Sequence, residues 1–311
     1  MMNRKPFLET QRLSVGYTTS KVLFNDINLS LQAGELVCFM GPNGIGKSTL
    51  IRTLAGLQEP LSGKIIRGDE KKVAVVLTDK IAASHMTVRE LITYGRYPYV
   101  NWNITLTEAD LLIIDQSIDT VHIRHLLDKK LYELSDGQMQ MVMVARALTQ
   151  ETPVILMDEP TAHLDLNNRV EIMNLLRQLT RNSGKAILVA THELDLALQT
   201  ADLIWLTMPD QSIKTGIPED LVLDGSIDSV FQFKGFNLKT GKVAHEVYRT
   251  TKVNLIGDGP TYLWTRNALE RSGLQMDEAG EIDILIDNGR WRIKEQVFTS
   301  LKDLLDAVLL K

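Results

Sequence analysis

The chain has 311 residues, 44% of them hydrophobic, and a formal net charge of -5. That length suits one large domain followed by a small one, and the slightly acidic balance points away from nucleic-acid binding. A lone cysteine, Cys38, rules out an internal disulfide and fits a reducing compartment. No apolar run approaches the roughly 18 residues of a membrane span, and the opening "MMNRKPFLET" has no apolar stretch that could serve as a secretory signal.

In chain order, "GELVCFM" (34–40) predicts a short buried strand, and "STLIRTLAGL" (48–57) an amphipathic helix with Leu50, Leu54 and Leu57 on one face. Between them lies "GPNGIGKST": Gly41, four residues, Gly46, Lys47, Ser48. This is the phosphate-loop spacing in its proper strand–loop–helix context. Glycines let the backbone turn its N–H groups inward, and with the helix N-terminus these form an anion cradle. Lys47 then neutralises β- and γ-phosphate charge, and Ser48 offers a hydroxyl to Mg²⁺. In residues 86–128, "TVRELITYG" has Thr87 and Glu90 at capping-box spacing, and "TEADLLIIDQSI" continues as an apolar-faced helix. His122 and His125 have no third ligand spaced with them, so no protein metal site is expected there.

"LSDGQMQMVMVARAL" begins at Leu134, where Ser135 and Gln138 form a capping box opening a helix whose Met141, Val142, Ala145 and Leu148 can face inward. Ser135, Gly137 and the free amides of that helix end suit a γ-phosphate. Because the phosphate loop already cradles the chain's own nucleotide, this second anion-binding end is expected to serve a nucleotide held by another copy, which requires a dimer. "PVILMDEP" is an apolar strand ending in Asp158, assigned to the metal, and Glu159, assigned as the base for the attacking water.

In this order and spacing the motifs resemble those of the ATP-binding subunit of an ABC transporter over about residues 7–231. The resemblance implies an α/β P-loop NTPase of the ABC type with a helical subdomain at about 86–150. It also implies that Tyr17 stacks on adenine, and that Gly41 to Thr49, including Asn43, Gly44, Gly46 and Thr49, form Walker A. Leu134 to Gln138 match the signature "LSGGQ", Asp158 and Glu159 end Walker B, Asp165 matches the D-loop aspartate, and His192 in "LVATHEL" matches the switch histidine at the γ-phosphate. There are two departures. Asp136 stands where glycine is commoner, and Thr78 stands where the family places the Q-loop glutamine, offering a shorter hydroxyl toward Mg²⁺. "MTVRELITYGRYPYVNW" resembles the subgroup that powers import of iron–siderophore complexes, haem and cobalamin. Its aromatics Tyr97, Tyr99 and Trp102, with Pro98, can equally be a turn that closes the subdomain.

Implied with the resemblance are ATP and Mg²⁺, a homodimer across ATP, membrane permease subunits, a solute-binding protein met indirectly, and a peripheral place on the cytoplasmic face of the membrane. A soluble ABC-type ATPase acting as a switch or scaffold is the alternative. It is disfavoured by the single nucleotide domain, the lack of a basic arm and the "GRYP" string. Residues 232–311 read as a small α+β domain. Its signals are a hairpin turning at Thr240 and Gly241, the strand "KVNLIG", a helix from about Thr261 to Ser272, a second hairpin with Ile282, Ile284 and Ile286 alternating before Asn288-Gly289, and a last helix opened by Ser300 and Asp303. Ligand sensing, dimer support and coverage of a core edge are all open to this unit, and "GDGP" (257–260) is a structural turn more readily than an anion site.

Overall fold

An apolar strand sealed on both faces is what the phosphate loop needs before it, and β4 (Leu36–Met40) is buried at every residue. The structure, a computed structural model, describes residues 6–68, 73–77, 85–100, 105–233, 236–238, 242–243, 247–287 and 289–309. It divides into two compact units, Met1–Gln232 and Phe233–Lys311.

The first unit opens with β1 (Leu8–Thr18), β2 (Lys21–Ile27) and β3 (Ser30–Leu31). After β4 come α1 (Lys47–Ala55) and β5 (Ser62–Arg67), and β1, β2, β3 and β5 form an antiparallel sheet. The chain continues through β6 (Val73–Val76), α2 (Val88–Thr93), α3 (Glu108–Thr120), α4 (Asp136–Leu148), β7 (Val154–Asp158), α5 (Leu166–Ser183), β8 (Ala186–Ala190), α6 (Leu194–Thr200), β9 (Leu203–Thr207) and β10 (Ile213–Gly216). Two short helices, α7 (Pro218–Leu223) and α8 (Ser226–Phe231), close the unit. Among the described residues the second sheet runs β10-β9-β4-β8-β7-β6, parallel except for β10. Parallel strands covered on both faces read as continuous apolar runs rather than alternating ones, as β4, β7 and β8 do. Consequently Met40, Asp158 and Ala190 end three neighbouring strands on one side, the side where ligands meet open α/β sheets.

The core joins both sheets through α1. Leu50, Ile51 and Leu54 are buried with Leu13, Phe24, Phe39, Leu188 and Trp205, each contributing about 1.5–3 kcal/mol through its burial. Leu57 does not share that face. The helix stops at Ala55, Gly56 takes a left-handed cap with φ 79°, and Leu57 beyond it is 62% exposed. A glycine C-cap of this kind redirects the chain before the next turn is complete.

Helices α2, α3 and α4 each start on a full capping box, from Thr87 with Glu90, Thr107 with Asp110, and Ser135 with Gln138. On α4, Val142, Ala145 and Leu148 are buried while Met141 is half-buried. The "GRYP" string forms a 3₁₀ turn over Tyr94–Tyr99. A Cβ on Gly95 would lie 1.8 Å from Thr149 Oγ1, so only glycine fits against the end of α4. Arg96, 5% exposed, pairs with Asp110 at 2.8 Å and Glu151 at 2.7 Å, donates to the Thr149 carbonyl at 2.9 Å, and lies over the Tyr99 ring. Trp102 lies outside the described residues.

In the second unit β11 (Phe236–Asn237) and β12 (Lys242–Val243) pair antiparallel across Thr240 and Gly241, which lie outside the described residues. Then follow β13 (Lys252–Ile256), α9 (Gly259–Arg271), β14 (Gln275–Met276), β15 (Ile282–Asp287), β16 (Arg290–Ile293), β17 (Gln296–Phe298) and α10 (Leu301–Leu309). The sheet runs β14-β13-β15-β16-β17, its first three strands parallel. Of the alternating isoleucines, Ile284 is fully buried and Ile282 and Ile286 half-buried, and the core is completed by Leu269, Phe298, Leu304 and Val308. Ser300 Oγ accepts from the Lys302 amide at the start of α10.

Candidate functional site

Beyond β4 the loop turns on glycines that the geometry requires. Gly44 and Gly46 have φ of 79° and 111°, a region that costs an L-residue about 1–2 kcal/mol. Gly46, the N-cap of α1, leaves no room for a side chain, since a Cβ would stand 2.8 Å from Leu23. Lys47, 5% exposed, donates to the carbonyls of Gly41 at 3.0 Å and Pro42 at 3.3 Å, and its ammonium is 3.8 Å from Glu159. Burial pushes that ammonium down from its ordinary value, while the Glu159 and Asp158 carboxylates pull it back up.

At the end of β7, Asp158 is buried, and burial raises its carboxyl pKa against the lowering effect of a hydrogen bond from Ser48. Glu159, the next residue, has φ 49° and is held there by its amide, which donates to Ala190 O at 2.8 Å. Its two carboxylate oxygens face different partners, Oε1 toward Lys47 and Oε2 toward His192 Nδ1 at 2.5 Å. His192 follows the end of β8, where the buried Thr191 is fixed by its amide to Phe39 O at 3.1 Å. The antiparallel sheet completes the wall: Tyr17 on β1 is 60% exposed and accepts from Thr49 Oγ1 at 3.3 Å.

These side chains line one cleft of about 390 Å³, bounded by Tyr17, Asn43, Gly44, Gly46, Lys47, Ser48, Thr49, Glu159 and His192. Backbone amides and a lysine can hold phosphates there, an aromatic ring stands at one side, and a carboxylate bonded to an imidazole stands at the other. Ser135, Gly137 and Gln138 do not line it. They sit at the start of α4, with Ser135 and Asp136 exposed and Gly137 buried. A Cβ on Gly137 would come 2.8 Å from Asn168, whose amide group and backbone N–H both bond Asp165, the N-cap of α5. Thr78 lies outside the described residues. Cys38 is inert packing within β4, its thiol pushed up to about 12 by burial.

Two residues here escape sequence reasoning. Arg169 on α5 donates from Nε to Leu164 O at 2.6 Å and pairs with Glu193 at 2.7 Å, and Glu193 stands 3.6 Å from His192 Nε2. The acid directly after His192 was visible, but its cation is 24 positions upstream in the sequence and only the fold brings the two together.

Residues 24–162 match the family described as ABC transporter, and residues 250–309 match that described as iron ABC transporter C-terminal domain. An uncharacterised ABC transporter ATP-binding protein of Methanocaldococcus jannaschii is 37% identical over 74% of this chain and 83% of its own. The iron(3+)-hydroxamate import ATP-binding protein of Bacillus subtilis is 32% identical over 72% of this chain and 87% of its own. Among solved structures, an inward-facing ABC transporter of the metal-chelate type aligns with a TM-score of 0.67 at 27% identity, covering 73% of this chain and 90% of that one. The chain thus belongs to the ATP-binding proteins of the ABC transporter family and is an ATPase.

Proposed function

We propose that this ATPase energises import of an iron chelate, haem or cobalamin through a separate membrane permease, itself lying on the cytoplasmic face of the membrane. The observation that carries the reading is the junction of Lys47, Glu159 and His192 in one cleft at the ends of β4, β7 and β8. Residues 1–231 are the ATP-binding domain, with the helical subdomain at about 86–150, and residues 232–311 are an accessory domain. The cargo class follows from the likeness to the iron(3+)-hydroxamate import protein and from the family matched by residues 250–309. Among the described residues no helix is long and apolar enough to cross a membrane, so transport needs a partner that spans it.

In this reading Tyr17 stacks on adenine, the amides from Asn43 to Thr49 cradle the phosphates, and Lys47 moves from Glu159 to the β- and γ-phosphates. Mg²⁺ takes oxygen ligands, retaining waters and substrate phosphates beside one or two protein groups. The Ser48 hydroxyl and the buried Asp158 carboxylate, already hydrogen-bonded to each other, are such a donor pair, and the resemblance adds Thr78 as a further hydroxyl ligand. The ion supplies neutralisation of charge developing on the transferred phosphoryl group. Glu159 takes a proton from the attacking water, and His192 both orients Glu159 and contacts the γ-phosphate. Ser135, Gly137 and Gln138 close over the nucleotide of a second copy, so that ATP binding draws two chains together and hydrolysis releases them.

Glu159→Gln tests the reading. It keeps the shape and removes the base, so the variant binds ATP, hydrolyses it about 10²–10⁴-fold more slowly, and carries a polytopic membrane protein with it when purified from native membranes in the presence of ATP. Wild-type turnover, or purification without a membrane partner, contradicts it.

A further inference from the structure

Glu193 stands at the N-cap of α6 and makes no side-chain capping hydrogen bond there, so its carboxylate is free of the helix amides. Its carboxylate is turned sideways instead, to Arg169 at 2.7 Å and toward His192 Nε2 at 3.6 Å. Its main chain is fixed, because its amide donates to the buried Thr191 Oγ1 at 3.0 Å. Arg169 reaches it from α5 while donating to Leu164 O, the carbonyl just before Asp165. The two ring nitrogens of His192 therefore meet two carboxylates, Glu159 at Nδ1 and Glu193 at Nε2, each with a cation of its own, Lys47 at 3.8 Å from Glu159 and Arg169 at 2.7 Å from Glu193.

We propose that Arg169 is a positioning residue for ATP hydrolysis: it holds the Glu193 carboxylate to the Leu164 carbonyl and so leaves the His192 imidazole to Glu159. Without it, a half-buried carboxylate 3.6 Å from Nε2 competes for the same ring. A guanidinium serves because its planar fork bonds a carbonyl and a carboxylate at once, which an ammonium cannot do in fixed geometry. The inference rests on the hydrolytic roles proposed for Glu159 and His192.

The test is steady-state ATP turnover by the full chain as Arg169→Ala, Arg169→Lys, Arg169→Ala/Glu193→Gln and, alongside, Glu159→Gln, with thermal unfolding of each. Arg169→Ala lowers kcat about 10–100-fold, as displaced catalytic groups do, and leaves KM for ATP within about twofold. Arg169→Lys falls between it and wild type. Adding Glu193→Gln to Arg169→Ala restores several-fold of the loss, because the competing charge is gone. A purely structural arginine gives a double variant no better than the single one, and that result overturns the proposal. So does wild-type kcat in Arg169→Ala when Glu159→Gln has lost turnover. Normal turnover in Glu159→Gln instead removes the hydrolytic reading itself and this proposal with it. If Arg169→Ala does not fold, Arg169→Lys decides: a lowered kcat recovered by Glu193→Gln supports the arrangement, and wild-type kcat refutes it.

Discussion

At Glu159 the backbone sets where the carboxylate stands. A glutamate at φ 49° is sterically disfavoured, and such positions persist where surrounding structure over-determines them. Here the determinant is the hydrogen bond that the Glu159 amide donates to Ala190 O, which leaves the carboxylate between Lys47 and His192. Asp158 and Glu159 were legible as adjacent acids after an apolar strand, and so were Lys47 and Ser48. The left-handed turn that gives the two acids different neighbours was not, because no residue type announces it. Tyr17 supplies a separable prediction. Its exposed phenol ring lines the cleft, so Tyr17→Ala raises KM for ATP about 5–100-fold, matching the ~1–3 kcal/mol of a lost base stack. Tyr17→Phe stays near wild type, and kcat is little changed in both. Equal KM values for Ala and wild type in a turnover assay would place the base elsewhere.

Among elements, the 3₁₀ turn at Tyr94–Tyr99 shows what a short motif can hide. As sequence, "GRYP" reads as a cargo-subgroup string or an aromatic turn. As structure, it is a joint: Gly95 allows close contact with α4, and Arg96 is a buried three-way tie among α3, Thr149 and Glu151. Burial of an arginine is invisible in a single sequence, since its partners lie 14 and 55 positions away. The capping boxes at Thr87 and Ser135 were legible, because each is closed within four residues, whereas that at Thr107 was missed because its third helical residue is Asp110 rather than Glu or Gln. The overreach at Leu57 came from extending a periodic face past a glycine cap. Asp110 carries the pH prediction. Hydrogen bonds from Thr107, and then Arg96, hold its carboxyl at about 2, below the ~3.9 of an unfolded aspartate. A depressed acid stabilises fully above the unfolded value, and that contribution disappears as pH falls toward 2. Asp110→Asn therefore melts below wild type by a constant interval from pH 7 to about pH 5, and the interval narrows below about pH 4. A melting-temperature series in which the gap is unchanged at pH 3 would show the carboxylate's charge to be irrelevant.

For the molecule as a whole, the phosphate loop lies in the cleft while the signature residues stand at the exposed start of α4, the arrangement expected of a site completed by a second copy. Mixing an excess of Ser135→Arg chains with Lys47→Ala chains, each inactive alone, places both defects in one composite site and leaves the other intact. ATPase activity returns in the mixture, and verified mixed dimers without activity would exclude shared sites. The two-part organisation was legible from the change in pattern after Phe231, whereas the parallel pairing of β13 with β15 was not, as hairpin signals speak only for neighbours. The strand order of the large sheet has a consequence in time. Between β8 and β9, β4 waits for partners that begin at residue 186 and end at residue 207. At synthesis rates of 5–20 residues per second, roughly 10–30 s pass between the making of β4 and that of its last neighbour. During that interval "LVCFM" lacks one or both of its neighbours, so the strand ahead of the phosphate loop is made early and paired late.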